Sequence, residues 1–195
     1  LSQPGVERGL DVTLAYTASG PGPGGQSVTE YVYRLNNPLP RMFFVDRARV
    51  VADPQAQLRT IADPAWDPRI EALVFAELPS PIEAPGPGAQ ATITEYRPHH
   101  IKADVSATGT NFLTISEVYY PAGWKATLDG QEVPIQRTNY AFRGIVVPAG
   151  THALSLDFAD PGFVRGKPIS IASYGLVLLT LAGGYFVERR RKGAG

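Results

Sequence analysis

Along most of this chain hydrophobic and polar residues alternate with a period of two, the period of strands that bury one face. The pattern is densest over residues 111–158, NFLTISEVYYPAGWKATLDGQEVPIQRTNYAFRGIVVPAGTHALSLDF. There Leu113 and Ile115 alternate with Thr114 and Ser116, while His152, Leu154, Leu156 and Phe158 alternate with Ala153, Ser155 and Asp157. Asp129-Gly130, between WKATL and QEVPI, has the composition of a two-residue hairpin turn, in which φ must be positive. Pro148-Ala149-Gly150 marks a second reversal, between GIVV and THALSL. The stretch predicts an antiparallel meander of four or five strands to which the other segments add.

Upstream, LDVTLAYTA reads as a short strand ended by Gly20-Pro-Gly-Pro-Gly-Gly25, which continues neither helix nor strand. VTEYVYRL (28–35) and RMFFVDRARVV (41–51) read as strands rich in β-branched and aromatic residues. Asp53-Pro54 then sets an N-cap before a proline at the first helical position, which predicts a helix of two to three turns with Leu58 and Ile61 on its apolar face and a stop at Asp63-Pro64. EALVFAEL reads as a buried strand, although its composition also suits a helix. Residues 79–88 form a Pro/Gly loop, expected to be exposed and mobile. ATITEY and IKADVSA are expected to be neighbouring strands joined through Arg97-Pro-His-His100, with Ile101, Ala103 and Val105 on one side.

The last part changes character. Residues 169–187, ISIASYGLVLLTLAGGYFV, carry no charge over nineteen positions. As a helix they span about 28 Å, close to the hydrocarbon thickness of a bilayer. Four basic residues, Arg189 to Lys192, follow the span, against Arg165 and Lys167 before it, which directs the C-terminus to the cytoplasm and the β domain outside. Ser173, Thr180 and Gly184 share one face of that helix, the kind of face on which another helix packs closely. The expected organisation is a loop and strand segment over 1–27 and an extracytoplasmic, mainly β domain over 28–160, an antiparallel β-sandwich or jelly roll with one short helix. A linker over 161–168, a transmembrane helix over 169–187 and a basic tail over 188–195 complete it.

Composition narrows the chemistry. The 195 residues suit one well-buried domain plus an appendage. Lys+Arg 18 against Asp+Glu 18 gives no electrostatic reason for a nucleic-acid partner. The absence of cysteine removes disulfides, thiolate catalysis and zinc–sulfur sites. No Gly-rich phosphate loop, HExxH or nucleophile elbow is present, and no cofactor is implied. Adjacent His99 and His100 would point to opposite faces of a strand, and His152 lies on the apolar side of another, so no metal site is expected. Because the chain opens on Leu1 without a charged-then-apolar leader, it is expected to be a fragment of a longer protein or a processed one.

Several ordered blocks resemble a known family. Ser116-Glu-Val-Tyr-Tyr-Pro-Ala-Gly-Trp-Lys-Ala126, Asp129-Gly130, Asn139-Tyr-Ala-Phe-Arg143 and Val147-Pro-Ala-Gly-Thr-His152 are similar to the C-terminal part of the YfhO-type bacterial membrane proteins. The resemblance runs over roughly residues 28–192, including RMFFVDRARVV and the final span. Pro121-Ala-Gly-Trp124 is one residue longer than the Pro-Gly-Trp form of the motif. Those proteins resemble polytopic C-type glycosyltransferases, which take sugar from a polyprenyl-phosphate carrier on the outer face of the membrane. The resemblance thus implies a place in the bacterial cell membrane and a missing N-terminal multi-span region as partner. It also implies that the catalytic carboxylate lies in an early external loop outside this chain, so no catalytic residue is expected here.

The candidate ligand site is the turn of the organising stretch: Glu117, Tyr119, Tyr120, Trp124 and Asn139, with Arg143 nearby. Aromatic faces stack on sugar rings while a carboxylate and an amide bond the hydroxyls, and an arginine holds phosphate or carboxylate bidentately. The same aromatics equally serve as core filling that anchors the turn, and a strand arginine as a surface group. Two readings stand on this basis. One is an accessory domain and last span of a membrane protein in glycosyl transfer to cell-envelope polymers, with envelope glycan or polyprenyl-linked sugar and the bilayer as partners. The other is a membrane-tethered carbohydrate-binding or structural module without enzymatic activity. A self-contained secreted hydrolase is a third, for which no catalytic constellation is visible.

Overall fold

The computed structural model describes residues 11–192, and the chain divides into two compact units, Leu1–Pro40 and Arg41–Gly195. The first is an antiparallel ribbon of β1 (Val12–Pro21) and β2 (Ser27–Leu35), in register from Val12↔Leu35 to Pro21↔Ser27 with an irregularity between Leu14 and Tyr16. Gly20 and Pro21 extend the strand. The loop expected from the glycine-proline run is a tight turn in which Gly24 and Gly25 take φ of 86° and 79°. Residues 28–35, expected within the sandwich, pair with β1 instead, because alternation marks a half-exposed strand without specifying its sheet. Leu10 of the expected first strand lies outside the described residues.

The second unit holds β3 (Met42–Val45), β4 (Arg47–Val50), α1 (Pro54–Ile61), β5 (Glu71–Val74), β6 (Gln90–Arg97), β7 (His100–Ala107) and β8 (Asn111–Ile115). It continues with β9 (Trp124–Leu128), β10 (Gln131–Val133), β11 (Gln136–Thr138), β12 (Phe142–Val147), β13 (Gly150–Phe158) and α2 (Pro161–Lys192). The strands form a five-stranded sheet ordered β10-β9-β13-β7-β6 and a six-stranded sheet ordered β3-β8-β12-β11-β5-β4. Ile101, Ala103, Val105, Ala126, Leu154 and Leu156 of the first pack against Met42, Leu113, Ile115, Ile145 and Val147 of the second in one buried core. The architecture is therefore mainly β, a two-sheet sandwich with a C-terminal helix.

The meander expected over 111–158 is split between the sheets. β8 and β12 pair in one, while β9 and β13 pair in the other. Pro148-Ala149 accordingly carries the chain across the core rather than closing a hairpin. The Asp129-Gly130 turn is a hairpin as expected, with φ of 51° and 80° and Leu128 opposite Gln131. The 41–51 strand is broken at Asp46, and its halves are the two edges of the six-stranded sheet. Since one residue separates them, the sheet curls until its edges meet there. Inside the curl Val45, Ala72, Val74 and Phe112 form a second cluster, so β8 is buried on both faces rather than one. β4 and β5 are parallel, with α1 as their crossover, so this sheet is mixed rather than purely antiparallel.

Residues 79–88 are held against the sandwich instead of lying free. Ile82 packs on the second cluster, Glu83 N donates to Thr110 O (2.7 Å), and Gly86 N donates to Thr108 Oγ1 (2.6 Å). The α1 start is as expected: Asp53 accepts from Gln55 N and Ala56 N, with Pro54 in the first turn. Its buried face is not the expected one, since Leu58 is 38% exposed and Gln57 is fully buried. Gln57 Nε2 donates to Val51 O and its Oε1 accepts from Tyr140 N, both at 2.8 Å, so backbone satisfaction rather than apolar area seats this helix. α2 begins at Pro161, so residues 161–168 are helical rather than a linker. Its segment Gly166–Gly184 is long and apolar enough to cross a membrane. The hydroxyls of Ser173 and Thr180 bond back to Ile169 O and Val177 O within the helix.

Candidate functional site

Leaving β8, the chain crosses to β9 through residues 116–123, and backbone bonds pin this crossing. Ser116 N donates to Arg41 O (2.8 Å), Tyr119 N to Ala141 O (2.7 Å), and Ala159 N to Gly123 O (2.9 Å). A Cβ at Gly123 would lie 2.3 Å from the ring of Phe158, so any larger residue there displaces that ring. That ring stands 5.4 Å from Trp124 and 6.1 Å from Tyr120, centroid to centroid. The motif's glycine thus lets three aromatic rings gather at the turn.

Behind Trp124 lies Arg143 of β12, only 2% exposed. Its guanidinium carbon sits 4.0 Å over the Trp124 ring and its Nε donates to Val118 O (2.9 Å). Nη1 is buried without a hydrogen-bond partner. Burial pulls the Arg143 pKa down, while the negative field of Glu117 opposes the change. Beside these groups is a cavity of about 150 Å³ lined by Tyr119, Tyr120, Trp124 and Arg143 together with Lys125 and Glu132. Lys125 Nζ lies 3.3 Å from Glu132 Oε2.

Four of the six expected site residues therefore meet at one cavity, and two do not line it. Glu117 accepts from Arg41 Nη1 and from the Tyr96 hydroxyl, each at 2.7 Å, and this bond raises the Tyr96 pKa. Asn139 sits where β11 ends, 7% exposed, with its Oδ1 accepting from Leu73 N at 2.8 Å. Its amide ties two strands of the six-stranded sheet. Lys125 and Glu132 are the lining residues that sequence reasoning missed. The Asp129-Gly130 turn contained the signal, because a two-residue loop fixes Thr127 opposite Glu132 and Ala126 opposite Val133.

A larger cavity of about 470 Å³, with no counterpart in the sequence reading, is lined by Arg47, Arg49, Trp66, Asp67 and Glu71 among others. Glu71 accepts from Arg47 Nε (2.9 Å) and from Arg49 Nη2 (2.7 Å). Burial pushes its pKa up, but the hydrogen bonds and charges of Arg47 and Arg49 outweigh this and hold it below 4.5. A carboxylate with a depressed folded pKa stabilises the fold above its unfolded pKa and loses that contribution as pH falls through the folded value. Glu71→Gln is thus expected to lower the melting temperature at pH 7. The gap to wild type should shrink as pH drops below 4.5, followed by circular dichroism in a pH series. A gap that stays constant across the series would show that Glu71 ionisation contributes nothing to stability.

Neither histidine group forms a metal cluster. His100 Nδ1 bonds Asp157 Oδ1, and His152 Nδ1 lies 2.7 Å from Asp129 Oδ2. Among the described residues no three His, Cys, Asp or Glu side chains are arranged to hold a metal.

Residues 88–170 match the family model of the bacterial membrane protein YfhO. This part of the chain is a YfhO-type region. The match runs from just before β6 into the start of α2, and so takes in the candidate cavity and the junction with the helix. No curated protein and no solved structure matches the chain. The match to a membrane-protein family model, together with the apolar segment Gly166–Gly184, fits a membrane location with a single span in the described residues.

Proposed function

We propose that this YfhO-type region is an accessory, non-catalytic domain and the last transmembrane helix of a membrane protein that transfers sugar to cell-envelope polymers. The sandwich faces the outside and the basic end of α2 the cytoplasm, in keeping with the positive charges after the span. Its partners in this reading are the bilayer, a multi-span region upstream, and an envelope glycan or polyprenyl-linked sugar. The single observation that carries the proposal is the YfhO match over residues 88–170, which runs from just before β6 into the first residues of α2. The aromatic cavity at Tyr119, Tyr120 and Trp124 is where the domain would meet the acceptor or the carrier.

An in-frame deletion of codons 41–160 in the native gene tests this. The expected result is loss of the transferred sugar from the envelope polymer, with the remaining protein present in the membrane at its normal level. An unchanged sugar content at equal protein level would overturn the accessory role.

A second reading, a tethered structural module without enzymatic activity, has its own support. Glu117 and Asn139 are committed to contacts within the domain, and the guanidinium of Arg143 covers one face of Trp124. On this reading the deletion destabilises the protein in the membrane instead of abolishing transfer at constant level.

A further inference from the structure

Arg143 is a buried cation without a direct ion-pair partner among the described residues. An arginine only 2% exposed is ordinarily matched by a carboxylate, because taking a lone charge out of water is costly. Among the described residues no acidic group lies within ion-pairing distance of it. The nearest candidate, Glu117, has its Oε1 bonded to Arg41 and to the Tyr96 hydroxyl. Nε donates to Val118 O, and Nη1 is buried without a partner. Buried donors left without acceptors are rare enough in folded proteins that each calls for an explanation.

We propose, building on the reading of this cavity as a ligand site, that it binds an anionic group, a phosphate or carboxylate, through Arg143, and that Trp124 positions Arg143 rather than stacking on a sugar. Three observations converge. The Val118 bond uses the Nε side of the fork and leaves the Nη edge, whose two parallel N–H groups match two oxygens of a phosphate or carboxylate. The guanidinium carbon lies 4.0 Å over the Trp124 ring and Phe158 stands against the same indole, so that ring holds the cation in place and is not open to a pyranose on that side. Among the charged lining residues, Arg143 and Lys125 outnumber Glu132, leaving the cavity positive.

Size limits what enters. The cavity volume is about 150 Å³. That is room for a phosphate or carboxylate with part of a ring or glycerol attached, not for an oligosaccharide. Tyr120, 46% exposed at the rim, is the aromatic left to contact whatever the anion is attached to. A phosphodiester of an envelope polymer and the phosphate of a lipid carrier present the same group to Arg143.

The test uses the full chain in uncharged detergent, carrying Trp66→Phe so that Trp124 is the sole indole. Inorganic phosphate, glycerol 3-phosphate and glucuronate are titrated at constant ionic strength against sodium chloride and glucose, with Trp124 fluorescence and melting temperature as readouts. A saturable fluorescence change and a rise in melting temperature are expected with at least one of the three anions and with neither control. In Arg143→Met both responses should vanish, while the anion-free melting temperature stays level or rises because an unpaired buried charge has gone. Arg143→Lys, which keeps the charge but not the fork, should bind at least tenfold more weakly.

Phosphatidylcholine vesicles with and without a polyprenyl phosphate separate the two sources. A response only to the lipid phosphate assigns the site to the carrier, and a response to glycerol 3-phosphate alone assigns it to the polymer. The proposal is overturned if no anion changes either readout in the Arg143 protein, or if Arg143→Met responds like its parent. Such a failure leaves the accessory role standing provided deletion of 41–160 still abolishes transfer. A positive anion response with normal transfer in the deletion strain would sink the accessory role alone.

Discussion

Replacing Phe112 with alanine is expected to cost about 3–5 kcal/mol, a large part of the stability of a domain this size. Phe112 is the largest fully buried side chain, enclosed where the six-stranded sheet curls on itself. Backbone strands surround the site, so the cavity left behind has little freedom to collapse. Gly144 on the neighbouring strand supplies the control. A Cβ there would lie 2.3 Å from Phe112 Cζ and 2.6 Å from Thr138 Oγ1, so Gly144→Ala alone overpacks the cluster by about 1–3 kcal/mol. Combined with Phe112→Ala, the new methyl is freed from the ring and keeps only its contact with Thr138 Oγ1, and the double mutant should be more stable than the sum of the single losses. Urea denaturation of the four proteins reads this coupling directly. Strict additivity would show that Phe112 and Gly144 do not share that space.

Asn139→Ala is expected to cost about 2–4 kcal/mol, from two separable sources. The first is the buried Leu73 N–H, which loses its acceptor at 2.8 Å in a position sealed from solvent. The second is backbone conformation: Asn139 has φ 46°, a region that asparagine tolerates and alanine resists. Asn139→Gly removes only the first source, so it should be the milder substitution by about 1–2 kcal/mol. The neighbour Tyr140 also has positive φ, at 69°, and its N–H is held by Gln57 Oε1 at 2.8 Å. The corner therefore depends on side-chain acceptors at both residues. Equal losses for Ala and Gly in thermal or urea unfolding would sink the conformational part.

These two sites show where a linear reading runs out. Asn139 stands in the sequence beside aromatic and basic residues and reads as a sugar-binding amide. Its bond to Leu73, from a strand 66 positions earlier in the chain, can be seen only once β11 and β5 are neighbours. Glu117 is similar, since its partners Arg41 and Tyr96 come from two distant segments. Phe112 reads as the outward residue of a strand whose inward residues are Leu113 and Ile115. The closing of the sheet at Asp46 makes both faces inward. By contrast, Tyr119, Tyr120 and Trp124 were legible as neighbours because the turn that gathers them is local.

What depends on neighbours in the chain was determined by the sequence alone. Alternation set the strands β6, β7, β9 and β13, Asp129-Gly130 set a hairpin, Asp53-Pro54 set the start of α1, and nineteen uncharged residues set a helix long and apolar enough to cross a membrane. Each follows from the preferences of residues a few positions apart. The tertiary structure decided which sheet each strand joins, which face of α1 is buried, and that residues 28–35 pair with β1 rather than within the sandwich. It also decided that Arg143, one of several arginines in the sequence, is buried on the Trp124 ring with one nitrogen left without a hydrogen-bond partner. A strand's period states only that it has two faces. What each face meets is settled by hydrogen-bond pairing and burial among segments far apart in the chain, and the ion pair that Arg143 lacks becomes visible only there.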